Sequence, residues 1–214
     1  MNNKVILFDW GGVVESPDYE YDTIRDCLYF CGFYNVDSDS VYSEYHKYDS
    51  AGFIDAYTNE EELDEELLKF LKNYRNDANI DDVKKYKEVY KKHMANNPYY
   101  KEISEYISSL KGKCKLGLLS NVSLLDKDRQ MKHMDYSSFD YRFLSCELGM
   151  RKPNGDIYEY VNEKLKNFKI LFIDDRSINL ETPKELGWDT YCANSGGDLN
   201  GIKNACNEFL KGSE

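Results

Sequence analysis

A chain of 214 residues, 41% hydrophobic and 31% charged, can bury one good core plus a smaller accessory unit and is too apolar to be disordered. Its formal charge of -11 argues against nucleic acid or an anionic membrane as the main partner, so an anionic substrate would need a local cation, such as a bound metal. No uninterrupted apolar run approaches the ~18 residues that span a bilayer, and the first strand follows Met1 too closely for a signal peptide to be expected.

The six cysteines, Cys27, Cys31, Cys114, Cys146, Cys192 and Cys206, are scattered and form no C-x-x-C pair. Cys27 and Cys31 stand four apart on a helical pattern, but no second Cys/His pair with ligand spacing completes a metal site. Buried free thiols in a reducing cytoplasm are expected.

The chain opens on Lys4-Val5-Ile6-Leu7-Phe8-Asp9-Trp10-Gly11-Gly12-Val13-Val14. The apolar run Val5 to Phe8 predicts a strand buried on both faces, as in a parallel sheet. Asp9 follows it directly, where open α/β sheets bind ligands, and is the leading candidate for the reactive group. Gly11 and Gly12 let the backbone leave the strand in conformations closed to other residues and let a ligand approach the main chain.

Ser16-Pro17-Asp18 breaks the pattern. From about Tyr19 the period turns helical, with Tyr21, Ile24, Leu28 and Cys31 on one expected buried face. Further helices are predicted over Val41 to Lys47, Glu60 to Asn73 and Asp81 to Met94. The acidic run from Glu60 to Glu66 suits a helix start and reads as a solvated face. Tyr42, Tyr45, Tyr48, Tyr86 and Tyr90 read as packing residues. His46, His93 and His133 are isolated from one another and read as surface or satisfied core positions.

After Asn96-Asn97-Pro98, strands and helices alternate. A helix is predicted over Lys101 to Leu110 and a buried strand over Lys115 to Leu119, ending at Ser120-Asn121. A segment without a clear period runs to about Asp140. A short strand follows over Tyr141 to Leu144, a helix over Asp156 to Leu165, and an apolar strand over Lys169 to Ile173 ending at Asp174-Asp175. Thr182-Pro183-Lys184-Glu185 reads as a capping box, so a kink or late start is expected in the helix from Ser177 to Leu186. A last strand is predicted over Trp188 to Cys192, then a helix from about Leu199. This alternation implies a parallel sheet with helices on both faces. The stretch 16–97 reads as a helical insert that caps the strand ends of a core formed by 1–15 and 98–214.

Four short motifs follow one another: Asp9-Trp10-Gly11-Gly12, Ser120-Asn121, Arg151-Lys152-Pro153 and Asp174-Asp175. Three of them directly end apolar strands, and each alone is as compatible with helix capping as with chemistry. Together, in this order, the pattern resembles the haloacid dehalogenase-like (HAD) hydrolase superfamily. Leu118-Leu119-Ser120-Asn121, Leu148 to Pro153 with Ile157-Tyr158, and Phe172 to Asp175 through Asn179 to Leu186-Gly187 are most similar to its glucose-1-phosphatase-like branch.

The resemblance implies a Rossmann-like core with strand order 3-2-1-4-5 and a helical cap inserted after strand one. It implies that Asp9 is the nucleophile of a Mg²⁺-dependent phosphatase, forming an aspartyl-phosphate. Asp9, Asp174 or Asp175 and the Gly11 carbonyl would bind the metal through hard oxygens. Ser120, Asn121, Lys152 and the main chain at Gly11 and Gly12 would hold the phosphate. The expected partner is a small phosphorylated metabolite, a sugar phosphate first, and the oligomeric state is not readable.

One departure matters. Most phosphatases of this superfamily carry a second aspartate two residues after the nucleophile as general acid/base, help worth ~10²–10⁴-fold, and here that residue is Gly11. The branch resembled also has glycine there, which implies that activity survives, most easily for a leaving group of low pKa such as a sugar C1 oxygen or an acyl phosphate. Trp10 also follows the nucleophile in phosphonate-cleaving relatives, whose Schiff-base cap lysine has no specific counterpart in this sequence. The rival readings are a carbon–halogen hydrolase, which lacks the second aspartate but needs no metal, and a non-catalytic phosphate-binding protein, which predicts decay elsewhere in the site. Asp18, Tyr19 and Tyr21 near the hinge could line the pocket or pack the hinge.

Overall fold

The computed structural model describes residues 3–16, 20–34, 36, 55–133 and 138–212. The helix expected over Val41 to Lys47, with Tyr42, Tyr45, His46 and Tyr48, lies outside these residues, as do Asp18, Tyr19 and the side chain of Tyr21.

Five parallel strands form one sheet: β1 (Lys4–Phe8), β2 (Lys115–Ser120), β3 (Tyr141–Leu144), β4 (Lys169–Asp174) and β5 (Asp189–Cys192), in the order β3-β2-β1-β4-β5. This is the order that the resemblance implies. The alternation of side chains along β1 explains why the strand reads as continuously apolar. Ile6 and Phe8 join Leu116, Leu118, Leu171 and Ile173 on one face, beneath α4 (Lys101–Ser109) and α9 (Leu199–Lys211). Val5 and Leu7 join Leu119, Phe143, Ile170 and Phe172 on the other, beneath α7 (Gly155–Lys164).

Between β1 and α4 the chain forms α1 (Glu20–Phe30), α2 (Glu60–Lys72) and α3 (Ile80–Met94). Asn59 caps α2, accepting from the Glu62 N–H at 2.9 Å, and the first-turn acids favour that helix end. Ile24, Cys27, Leu28, Leu63, Leu67, Phe70, Val83 and Tyr86 make a separate apolar cluster. That cluster also takes in Leu125 of α5 (Leu124–His133), a helix in the segment that showed no clear period. The two chain crossings beside it pair with each other: the Ser16 N–H donates to the Pro98 carbonyl at 2.9 Å and the Tyr100 N–H to the Val14 carbonyl at 2.7 Å.

The late start expected between Ser177 and Leu186 is present, since a 3-10 turn over Ser177–Leu180 leads into α8 (Glu181–Glu185). The capping box and the burial of every thiol need correction. Thr182 lies inside α8, whose start has no side-chain cap, and Pro183 falls within the first turn, where its missing N–H costs nothing. Of the cysteines, all free, Cys192 is exposed and the other five are buried. His93 packs its ring 5.5 Å from that of Phe30, away from the strand ends. Among the described residues no helix is long and apolar enough to cross a membrane.

Candidate active site

Register brings three of the four motifs to one place. Phe8 pairs with Leu118 on β2 and with Ile173 on β4, so Asp9 emerges level with the end of β4 and one step short of Ser120. The Asp9 N–H continues the ladder to the Ile173 carbonyl at 2.9 Å. Its carboxylate is then fixed from both sides. Oδ1 accepts from the Trp10 N–H at 2.7 Å and from the Ser120 hydroxyl at 2.8 Å, while Oδ2 lies 2.9 Å from Lys152 Nζ.

The fourth motif comes from the loop between α6 (Ser145–Leu148) and α7. There the side-chain amide of Asn121 clasps the main chain of Lys152: Nδ2 donates to its carbonyl at 2.8 Å and Oδ1 accepts from its N–H at 2.9 Å. Lys152 is buried, and its ammonium bridges Asp9 and Asp174, 2.6 Å from Asp174 Oδ2. Burial alone would lower the Lys152 pKa, but the Asp174 and Asp9 carboxylates hold it above its usual range.

Asp174 and Asp175 differ. Asp174 is fully buried, and both of its oxygens are engaged. Oδ1 accepts from the Arg176 N–H and Asn179 Nδ2, and Oδ2 from Lys152 and the same amide. Asp175 is half-buried, and among the described residues no side chain donates to its carboxylate. Burial, then the charge of Asp174, pushes Asp175 up to about 6. Asp9 is pushed up to about 7 by burial, against the pull of Lys152 and with repulsion from Asp174 and Asp175. Carboxylate oxygens of Asp9, Asp174 and Asp175 lie within 4.8 Å of one another. Three hard oxygen donors this close, one of whose carboxylates receives no side-chain donor among the described residues, fit a small divalent cation.

The glycines after Asp9 have separate roles. Gly11 borders the cavity, and a Cβ there would meet nothing within 4 Å. Gly12 corrects its expected phosphate-binding role: its N–H donates to the Glu15 carbonyl at 2.7 Å and is not available to a ligand. It is required instead by its φ of 73° and by Asp175, whose Cγ would lie 2.1 Å from a Cβ at Gly12. Gly12→Ala should therefore displace Asp175 as well as strain the turn, by roughly 1–2 kcal/mol for the backbone alone. The expected result is a melting temperature lowered by several degrees and loss of any metal-dependent stabilisation, read by thermal unfolding with and without Mg²⁺.

Asn121 is also placed differently from a simple phosphate ligand, because its amide holds Lys152 in position. Sequence reasoning missed a second polar cluster on the wall of the same cavity, a space of about 160 Å³ that includes Asp9, Lys152 and Asp175. It comprises Glu15, Tyr90, Asn97, Asp126 and Arg129. Nothing in the sequence marked Arg129, which lies in the segment without a clear period.

The profile of the haloacid dehalogenase-like hydrolase family matches residues 13–193, starting just beyond Asp9, and the chain belongs to that family. A search of curated proteins by sequence gave no match. Solved structures share the fold over nearly the whole chain. A predicted HAD-like family hydrolase from Porphyromonas gingivalis is 24% identical, covers 100% of both chains and superposes with a TM-score of 0.71. An HAD family enzyme from Bacteroides thetaiotaomicron, in complex with magnesium and inorganic phosphate, is 21% identical over 93% of this chain and 98% of its own, with a TM-score of 0.67. A 2-haloacid dehalogenase from Pseudomonas syringae is 13% identical over 98% of this chain and 100% of its own, also with a TM-score of 0.67.

Proposed function

We propose that this protein is a Mg²⁺-dependent phosphatase that forms an aspartyl-phosphate on Asp9, with residues 16–97 as its cap. The observation that carries the reading is the carboxylate of Asp9, buried at a strand end, held by Ser120 and Trp10 on one oxygen and by Lys152 on the other. An in-line nucleophile needs this kind of fixed aim. Asp9 attacks phosphorus, the bond from phosphorus to the ester oxygen breaks, and water then cleaves the acyl phosphate to return the carboxylate. Ser120 and Lys152, with the main chain at Gly11 and Asn121, would face the transferred group, Lys152 supplying positive charge. Asp9, Asp175 and the Gly11 carbonyl would hold the metal, with Asp174 engaged mainly in fixing Lys152. When bound, Mg²⁺ would neutralise phosphate charge.

Within the family we assign the chain to the glucose-1-phosphatase-like branch on the motifs around Ser120, Lys152 and Asp174. The substrate we propose is a small phosphomonoester with a leaving group of low pKa, a sugar 1-phosphate before a simple alkyl phosphate, because Gly11 offers no proton. The acidic cluster beside Lys152 supports phosphoryl transfer over carbon–halogen cleavage, and an intact set of charged residues argues against decay to a binding protein. The test is phosphate release from a panel of sugar phosphates, acyl phosphates and alkyl phosphates, with Mg²⁺ and with EDTA. Release that depends on Mg²⁺ and ranks by leaving-group pKa is expected. No release from any member would sink the proposal.

A further inference from the structure

Two carboxylates on the cavity wall are too fully engaged to act as acids or bases. Glu15 is buried, and its Oε2 accepts from Trp10 Nε1 at 2.5 Å while Oε1 accepts from both Asn97 Nδ2 and Arg129 Nη1. Asp126 takes Arg129 Nη2 and Nε on Oδ1 at 3.0 and 3.2 Å, and Tyr90 Oη and Ser123 Oγ on Oδ2 at 2.7 and 2.8 Å. One guanidinium thus sits between two saturated carboxylates, a planar fork matched to its partners. Burial would lower the Arg129 pKa, and Asp126 and Glu15 raise it above its usual range.

The partners come from four places in the chain. Trp10 and Glu15 belong to the turn after β1, Tyr90 to α3, Asn97 to the return crossing, and Asp126 and Arg129 to α5. A buried network drawn from separate elements fixes their relative position, because leaving one member unpaired is costly. It also reaches the proposed nucleophile. The indole of Trp10 is tied to Glu15, and the main-chain N–H of the same residue donates to Asp9 Oδ1. The Gly12 N–H, donated to the Glu15 carbonyl, closes that turn.

We infer that Glu15, held by Arg129 of α5, is a positioning residue for phosphoryl transfer that sets the Trp10 turn aiming Asp9. The inference rests on the reading of Asp9 as nucleophile. Loss of the Glu15 charge would leave the fold and the phosphate-binding end intact and let the turn move.

The test uses Glu15→Gln in the full chain, in a Trp188→Phe background where Trp10 is the single remaining tryptophan of two. At a temperature where circular dichroism shows the variant folded, kcat for the best panel substrate should fall ~10²-fold, as for a misplaced reacting group. Competitive inhibition by inorganic phosphate should be retained, and acrylamide should quench Trp10 more strongly. Unchanged kcat and unchanged quenching in a folded variant would overturn the inference, since a purely structural residue would alter only the melting temperature. Arg129→Lys, which keeps the charge but loses the fork, should show both changes to a lesser degree, and it decides the matter if Glu15→Gln does not fold. If the unaltered protein hydrolyses nothing, the proposed function fails, and the quenching arm alone then supports or overturns the tie between Glu15 and Trp10.

Discussion

Replacing Asp9 by asparagine should abolish phosphate release, by ~10⁴-fold or more, and leave the protein folded. Loss of a covalent nucleophile removes the path itself, so the effect exceeds that of losing any single contact to the phosphate. The asparagine oxygen can still accept from the Ser120 hydroxyl and the Trp10 N–H, which hold Asp9 Oδ1 at 2.8 and 2.7 Å. Lys152 keeps Asp174 at 2.6 Å. The variant also removes one of three crowded carboxylates, whose mutual repulsion adds to the burial that lifts Asp9 to about 7. Its metal-free melting temperature at pH 8 should therefore equal or exceed that of the unaltered protein. Phosphate release and thermal unfolding, measured on one preparation, check both halves. Release surviving in the variant would remove Asp9 as nucleophile whatever the melting curve shows.

Asp9, Ser120 and Asp174 were legible in the sequence because each ends an apolar run, and in a parallel sheet such ends converge when the strands are neighbours. The run Lys115 to Leu119 could be placed beside β1 only through the family resemblance, since periodicity gives strands but not their order. Lys152 was legible by the same route alone: it lies on no strand, and its place depends on the Asn121 clasp between residues 31 apart. Gly12 was read as making room for a ligand, whereas the space is taken by Asp175, a contact that chain order does not reveal. Glu15 and Arg129 are 114 residues apart and carry no pattern, so their pairing follows only from the approach of α5 to the turn after β1. Local chemistry marks a strand end well. It does not mark a network assembled from single residues on four elements.

The acidic pair gives the second large effect, on metal binding. Magnesium at about a hundred times its dissociation constant should stabilise the protein by ~2.7 kcal/mol, which is roughly 5–10 °C for a chain of this size. Asp175→Asn should remove that shift and hold or raise the metal-free melting temperature at pH 8, because its half-buried carboxylate receives no side-chain donor among the described residues and, pushed up to about 6, opposes folding when ionised. Asp174→Asn should do the opposite. It weakens the buried pair with Lys152 and lowers the metal-free melting temperature, while leaving a Mg²⁺ shift through Asp9 and Asp175. The pH dependence has a defined sign. Asp9 and Asp175 have folded pKa values of about 7 and about 6, above the ordinary 3.8, so the folded state binds protons that the unfolded chain has released. Metal-free stability from these groups is full below about pH 4 and is lost as pH rises through 6 to 7. A cation needs them ionised, so its stabilising shift should be larger at pH 8 than at pH 5.5. A Mg²⁺ shift that survives Asp175→Asn but vanishes in Asp174→Asn would reverse the assignment. It would mean that Lys152 gives up Asp174 when the metal arrives.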